Sequence, residues 1–472
     1  MSEMDVKIKD GAEIIERLDE KLITPEELSE LLEQKKYLDL KTLLAEIPAP
    51  DIAELFYDID ESHHSIIFRL LSKELAAETF VEMDPDHQEG LIQRLSDREL
   101  SDILDELYID DTVDIIEEMP ANVVKRILKN SDSENREIIN KILKYPKDSA
   151  GTIMTTEYVR FTGDMTVSEA LLHIRRVAID KETIYTCYIT GRDKQLLGIV
   201  TAKDLLISDP DTELYEIMDD NVIAVHTHDD KEEVAMKLDK YGFIAIPVVD
   251  SESRLVGIVT VDDALEVIIE ESEEDFAKMA AIMPTETPYL KTDVLSIWKS
   301  RVPWLLILML SSTISSAILA GFESALPAVL VLFIPMIMGT GGNSGGQSSV
   351  TVTRSISLSE VEFCDIFRVL WKELRVGVLC ALSLGAATFL KVWLLDGVLL
   401  GNPAVTLTVS LTVALSLSLT IILAKIIGAV LPILAKRVGL DPAVMASPLI
   451  TTLVDAISLI VYLFVARNML PI

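Results

Sequence analysis

The stretch AVMASPLITTLVDAISLIVYLFVARNM, residues 443–469, decides the fold. About 20 apolar residues cross a bilayer as a helix, so it reads as a membrane span with one carboxylate, Asp455, near its middle. An ionised acid at that depth costs about 2.5–3.5 kcal/mol on insertion scales, which places it against a bundle interior or a wet cavity. Thr451, Asp455, Ser458 and Tyr462 follow at steps of four, three and four, a spacing that stacks them as one polar stripe. The stripe reads as a pore wall. The alternative is a structural pair between Asp455 and Lys425, the basic residue inside the preceding apolar run.

Four more apolar runs lie ahead of it, at about 303–322, 327–351, 370–395 and 404–434. Basic residues flank them on alternate sides: Lys299 and Arg301, then Arg354, Arg368, Lys372 and Arg375, then Lys436 and Arg437. Gathering these on one face of a cell membrane puts the front of the chain in the cytoplasm and the C-terminus outside. Of 42 basic and 76 acidic residues, nine and eight lie from Pro303 onward, so the front carries a net charge of −35. Such a region repels nucleic acid and itself, and attracts multivalent cations where its carboxylates cluster. Cys187, Cys364 and Cys380 give neither a disulfide framework nor a metal pattern. The first 25 residues are charged and predict no cleavable signal peptide.

Two repeats organise the front. Phe56, Phe80 and Leu104 recur every 24 residues within helical hydrophobic spacing, which predicts a helical-repeat domain over 1–148, begun by short helices such as the one TPEEL opens at Thr24. Its acids Asp58, Asp60, Glu82, Asp84, Asp86, Asp105, Asp110 and Asp111 are either ligands or solvated faces. Over 149–262, IMTTEYVRFTGDMTVSEALLHI from Ile153 is answered by IMDDNVIAVHTHDDKEEVAMKL from Ile217, and GIVTAKDL from Gly198 by GIVTVDDA from Gly257. Each copy predicts an extended segment, a helix, two strands and a Thr-x-x-Asp helix start. This resembles a tandem CBS pair. The resemblance implies adenine-nucleotide binding, with ATP as candidate, in which Thr201 with Asp204 and Thr260 with Asp263 hold the ribose. The same threonines read equally well as helix caps. His226-x-His228 reads as a surface pair.

Residues 262–282 predict an acidic helix joining the two halves. Glu266 and Glu270, Glu270 and Glu274, and Glu271 and Asp275 are like-charge pairs four apart, each costing about 0.2–0.5 kcal/mol in an isolated helix. A bound cation reverses that sign; without one the segment is a solvated linker. In the second apolar run, PMIMGTGGNSGGQSS from Pro335 lacks the lysine of a phosphate loop, so nucleotide binding there is excluded. Gly342-x-x-x-Gly346 suits close helix packing, while Gly339, Asn343 and Gln347 share one polar face. Asp441-Pro442 reads as the capped start of the last span, fourteen residues before Asp455. That is about 21 Å along one helix, nearly on one face, which rules out an aspartyl enzyme using both acids on one bond. No enzyme is expected.

PMIMGTGGNSGGQ followed by DPAVMASPLITTLVDA, behind a helical domain and a CBS-like pair, resembles the MgtE family of magnesium channels. The resemblance implies a mainly α membrane protein: five transmembrane helices per subunit over 293–472, a connecting helix over 263–292, and the helical-repeat domain and tandem CBS domains in the cytosol. It implies a homodimer in lipid that imports Mg²⁺ down its electrochemical gradient and closes when Mg²⁺ binds the cytosolic acids. Carried over, Asp455 recognises hydrated Mg²⁺ in a pore lined by Gly339, Gly342 and Asn343, with Thr451 in place of a smaller residue. Asp441 is bridged by Mg²⁺ to Glu271, Glu274 and Asp275 of the connecting helix. Asp230, Glu232, Asp263 and Glu266 fall at sensor positions, and Gly242 stands where some members carry a further acid. The competing expectation is a CBS-regulated, nucleotide-sensing membrane receptor or a transporter of another divalent cation.

Overall fold

A computed structural model describes residues 24–284, 289, 292–322, 327–358, 360–445 and 447–470. Expectations for residues 1–23 lie outside the described residues. The chain divides into two compact units, Met1–Ile268 and Ile269–Ile472, and the helix Val261–Met279 runs across the division.

The front unit begins with short helices whose N-caps fall at Thr24, Lys36, Pro48, Asp60, Ser72, Asp84, Ser96, Tyr108, Pro120 and Asp132, one every twelve residues. The 24-residue sequence repeat is therefore two helices. Phe56, Phe80 and Leu104 occupy equivalent buried places in it. The caps show why the period is strict. Asp60, Ser72, Asp84, Ser96 and Asp132 each accept a hydrogen bond from a backbone N–H of the following turn, which satisfies an otherwise orphaned donor. Asp60 and Asp84 are thus helix starts. The stack continues to Ile142, one pair beyond the three copies legible in the sequence.

Next come two three-stranded sheets of the same design. Strands β1 (Tyr158–Phe161) and β2 (Thr183–Thr190) run parallel, and β2 pairs antiparallel with β3 (Leu196–Thr201); β4 (Val225–His226), β5 (Ala245–Val249) and β6 (Leu255–Thr260) repeat the order. The copies interleave. Thr155, ahead of the first sheet, bridges to Ile258 of the second, and Asp219, ahead of the second, bridges to Ile199 of the first. The glycines of the two GIVT motifs make room for this: a Cβ on Gly257 would lie 2.7 Å from the Thr155 carbonyl oxygen and the Met154 sulfur, and one on Gly198 would lie 2.7 Å from the Met218 sulfur. Gly257→Ala is expected to cost about 1–3 kcal/mol by overpacking, read as a lowered melting temperature of the detergent-solubilised protein. A single core continues from the helical stack into the second copy, joining Val113, Ile127 and Ile142 to Val234, Ile246 and Val259.

In the second unit, five helices among the described residues are long and apolar enough to cross a membrane: Val294–Gly321, Ala328–Ser357, Phe363–Leu399, Leu407–Arg437 and Ala443–Met469. The second, fourth and fifth pack on one another, the third packs on the fourth and the first on the fifth. Tight packing is made at Gly341 and Gly345. A Cβ on Gly341 would lie 2.6 Å from Thr420 and 2.8 Å from the Ser458 hydroxyl, and one on Gly428 would overlap the Gly345 carbonyl. Small residues replace the hydrophobic driving force that lipid removes.

Candidate functional site

In the second span, Gly339, Asn343 and Gln347 form an exposed stripe at four-residue steps, and no atom lies within 4 Å of a Cβ built on Gly339. Gly342 turns toward the fifth span, where a Cβ would lie 2.8 Å from Thr451 Cγ2 and 3.7 Å from Asp455 Oδ1. Asp455 Oδ1 is buried and has no hydrogen-bond partner among the described residues. Leaving a carboxylate oxygen unsatisfied at this depth is costly.

Two sequence expectations change here. The stripe on the fifth span is shorter than four residues. Ser458 is buried and bonds back to the Val454 carbonyl, while Tyr462 is buried and donates to the Leu330 carbonyl at 2.8 Å, so both serve the bundle interior. Lys425 is not the partner of Asp455. Its ammonium donates to Ser348 Oγ at 3.3 Å, and Ser348 donates to Glu373 at 2.6 Å.

Asp441 does not share a helix with Asp455. A 3-10 turn, Ala443–Met445, precedes the helix Ser447–Met469, and Asp441 Oδ1 caps that turn at the Ala443 N–H, 2.8 Å away. Its other oxygen meets Lys278 of the connecting helix at 2.6 Å, and Lys278 also meets Glu274 at 2.7 Å. Burial works against the Lys278 charge, yet its bonds to Asp441 and Glu274 hold it above the ordinary ammonium range. Asp275 accepts from Ser357 at 2.9 Å. Burial, aided by the Asp441 charge and opposed by the Ser357 bond, raises its pKa. Three of the four expected gate acids, Glu274, Asp275 and Asp441, are therefore gathered at one place, and Glu271 lies half-buried a turn earlier. Lys278 was legible only as the i+4 partner of Glu274.

The front unit holds a second acidic cluster. At the start of helix Ile109–Glu118, Asp110 is buried, Asp111 half-buried and Asp114 exposed at the surface, and the last two stand in the field of both Asp263 and Glu266. Burial, then the neighbouring carboxylates, Asp263 first among them, push Asp111 up to about 7 and Glu182 to about 8 and raise Asp110, and with Glu266 first they raise Asp114; burial and then Asp262, opposed by the Thr260 bond, raise Asp263. Glu182 Oε2 is buried without a hydrogen-bond partner among the described residues. The donor set is all hard oxygen, which fits Mg²⁺ keeping several waters. Among the described residues, no group of three or more His, Cys, Asp or Glu side chains lies close enough together to hold a metal ion. Asp114 and Glu182 were missed in the sequence. Asp114 shares a face with Asp110 at the four-residue step, whereas nothing around Glu182 marks it.

Raised acids prefer their protonated form in the folded unit. The cost is absent below the ordinary carboxylate range near pH 4, grows between there and about pH 7–8 and is complete above it, so the metal-free unit loses stability as pH rises across that window. The full-length protein without Mg²⁺ should be cleaved by protease more slowly at about pH 5.5 than at about pH 8.5, with millimolar Mg²⁺ closing most of the gap. Equal cleavage at both pH values would remove the cluster from the stability of the unit.

Of the remaining sensor positions, Asp230 caps helix Lys231–Tyr241 through the Glu232 N–H, and Gly242 ends that helix at φ +64°, a left-handed position that explains the glycine. Thr201 with Asp204 and Thr260 with Asp263 form matching side-chain bonds at helix starts, the arrangement of a cap.

Residues 334–465 match a family described as a divalent cation transporter, residues 47–148 the MgtE intracellular N domain, and residues 150–210 and 214–270 the CBS domain. The magnesium transporter MgtE of Thermus thermophilus is 38% identical over 449 residues, 94% of this chain and 98% of that protein. The chain belongs to the MgtE family. A second MgtE, from Bacillus subtilis, is 31% identical over 92% of this chain and 95% of its own. A crystal structure of the cytosolic domain of the Mg²⁺ channel MgtE in complex with ATP aligns at 37% identity and TM-score 0.50, over 52% of this chain and 100% of that one. Membership in the MgtE family joins the five apolar helices to magnesium transport and the interleaved α/β copies to CBS domains.

Proposed function

We propose that this member of the MgtE family is a homodimeric, Mg²⁺-selective channel that imports magnesium down its electrochemical gradient and closes as cytosolic Mg²⁺ fills its acidic clusters. The observation that carries the reading is the unpartnered Asp455 oxygen beside Gly342, next to the exposed polar stripe of Gly339, Asn343 and Gln347. Amide and carbonyl groups facing hydrocarbon are costly, so a second subunit covering that stripe and enclosing water satisfies them. Two Asp455 carboxylates near a dimer axis repel when alone and are neutralised by one divalent ion. Mg²⁺ dehydrates reluctantly, and a wide site with few acids and several neutral acceptors suits its hydrated form.

Gating follows from the acids. Asp110, Asp111, Asp114, Glu182, Asp263 and Glu266 in the front unit, and Glu271, Glu274, Asp275 and Asp441 in the second, favour a compact arrangement only when neutralised, and Mg²⁺ supplies that differential affinity. Asp230 and Glu232 are assigned the same sensing role at the start of their helix. ATP is assigned to the CBS pair on the strength of the ATP-bound relative. Thr201 with Asp204 is the better ribose site, because phosphates beside Asp263 would meet the front cluster's negative field.

The test is Mg²⁺ current through purified protein in planar bilayers as cytosolic Mg²⁺ rises from zero to several millimolar. Current that falls with cytosolic Mg²⁺ is expected. No current at zero cytosolic Mg²⁺ from a folded dimer, with adenine-nucleotide binding intact, would favour the nucleotide-sensing receptor.

A further inference from the structure

A cavity of about 780 Å³ opens beside the polar stripe, lined on the second span by Asn343, Gln347 and Ser348, on the third by Glu373 and on the fourth by Lys425. Lys425 is only 5% exposed and Ser348 2%. The ammonium donates to the serine hydroxyl, which donates in turn to the carboxylate, so one serine connects a buried cation to an acid on a different helix. Ser348 lies six residues past Gly342 and six before Arg354 on one helix, about 9 Å from each along the axis. The cavity therefore sits between the level of Asp455 and the basic edge of the bundle. Burying a lysine in a membrane bundle is costly unless a counter-charge answers it, and Glu373 is the acid placed to do so.

We infer that this cavity is a second cation-handling station, in which Glu373 is the acid that meets the passing ion and Lys425 is a tethered competitor that keeps its hold weak. This rests on the reading of Asp455 and the polar stripe as an ion pathway. Conduction requires sites attractive enough to enter and weak enough to leave. A bare Glu373 facing the amides of Asn343 and Gln347 would hold a hydrated divalent cation strongly. Lys425, acting through Ser348, occupies one side of that carboxylate and lowers the net charge of the wall to zero. The two charges have opposite effects on an approaching cation, and that opposition separates a role in conduction from a role in packing.

The experiment measures Mg²⁺ current against Mg²⁺ concentration on the extracellular side, at zero cytosolic Mg²⁺, for wild type, Lys425→Met, Glu373→Gln and the double variant. Lys425→Met should saturate at about tenfold lower Mg²⁺, with a reduced maximum as ions dwell. Glu373→Gln should shift the midpoint the other way, to about tenfold higher Mg²⁺, and the double variant should return it to near the wild-type value. Ser348→Ala keeps both charges and breaks only the bridge, so it should shift the midpoint as Lys425→Met does, by less. It serves if a charge variant fails to form a dimer on size-exclusion chromatography. Midpoints unmoved in Ser348→Ala and in every charge variant that folds, or moved in the same direction by both single charge variants, would overturn the inference. Absence of current from the folded wild type is a separate result, which overturns the channel reading itself.

Discussion

Asp455→Ala is expected to abolish Mg²⁺ current while leaving a folded dimer. The residue makes no hydrogen bond through Oδ1 that the fold would miss, and removing a half-buried acid from a lipid-embedded bundle relieves a cost. On the proposed pathway, what is lost is the charge that the ion meets beside Gly342. A unit charge pair at 4 Å is worth about 4 kcal/mol at an effective dielectric of 20, so even part of that for a hydrated divalent ion predicts a loss of about hundredfold or more. Asp455→Asn keeps the shape and removes the charge, and should fail nearly as badly. Flux unchanged in Asp455→Ala would remove this residue from the pathway and leave the exposed polar stripe without a function.

The second large effect is at the connecting helix. Neutralising Glu271 and Asp275 together should leave the proposed channel open at several millimolar cytosolic Mg²⁺, with residual current about tenfold above wild type, measured in the same bilayers. Asp275 is held by Ser357 and sits in the field of Asp441, so its loss removes both an anchor and a reason for a divalent ion to bind there. Lys278 sharpens the test. It already stands between Glu274 and Asp441, performing part of the neutralisation assigned to Mg²⁺. Lys278→Met should make closure depend more steeply on Mg²⁺ and raise the open fraction near zero Mg²⁺, because two carboxylates then face each other with no cation between them. Normal closure in Glu271→Gln/Asp275→Asn would make the helix a passive connector.

Local periodicity carried most of the architecture. The 24-residue spacing of Phe56, Phe80 and Leu104, the answering GIVT motifs and the five apolar runs each report a structure fixed by neighbours in sequence. Asp455 and Gly342 were legible because a lone acid and a glycine cluster are conspicuous in an apolar background. Relations across helices were not. That Lys425 answers Glu373 through Ser348 rather than answering Asp455 depends on how the second, third and fourth spans are packed, which no local spacing encodes. Glu182 was invisible for the same reason: its burial comes from the helical stack and the α/β copies meeting around it. Asp441 and Asp455 were placed on one helix because the sequence between them has no breaker after Pro442 except Pro448, and the 3-10 turn at Ala443–Met445 separates them instead.

A helix start every twelve residues turns the front of the chain into a ruler with fixed graduations. The helices begun at Pro48, Ser72, Ser96 and Pro120 pack in succession on one another, so two steps make one layer. A deletion of 24 residues, such as 73–96, would join Ser72 to Asp97 and leave a capped start in place, because Ser72 and Ser96 are the same graduation. A deletion of twelve would exchange the two alternating rows of helices for everything downstream. Lineages of this chain can therefore change the reach of the front domain only in whole layers, and a shorter or longer relative should differ from it by multiples of two graduations.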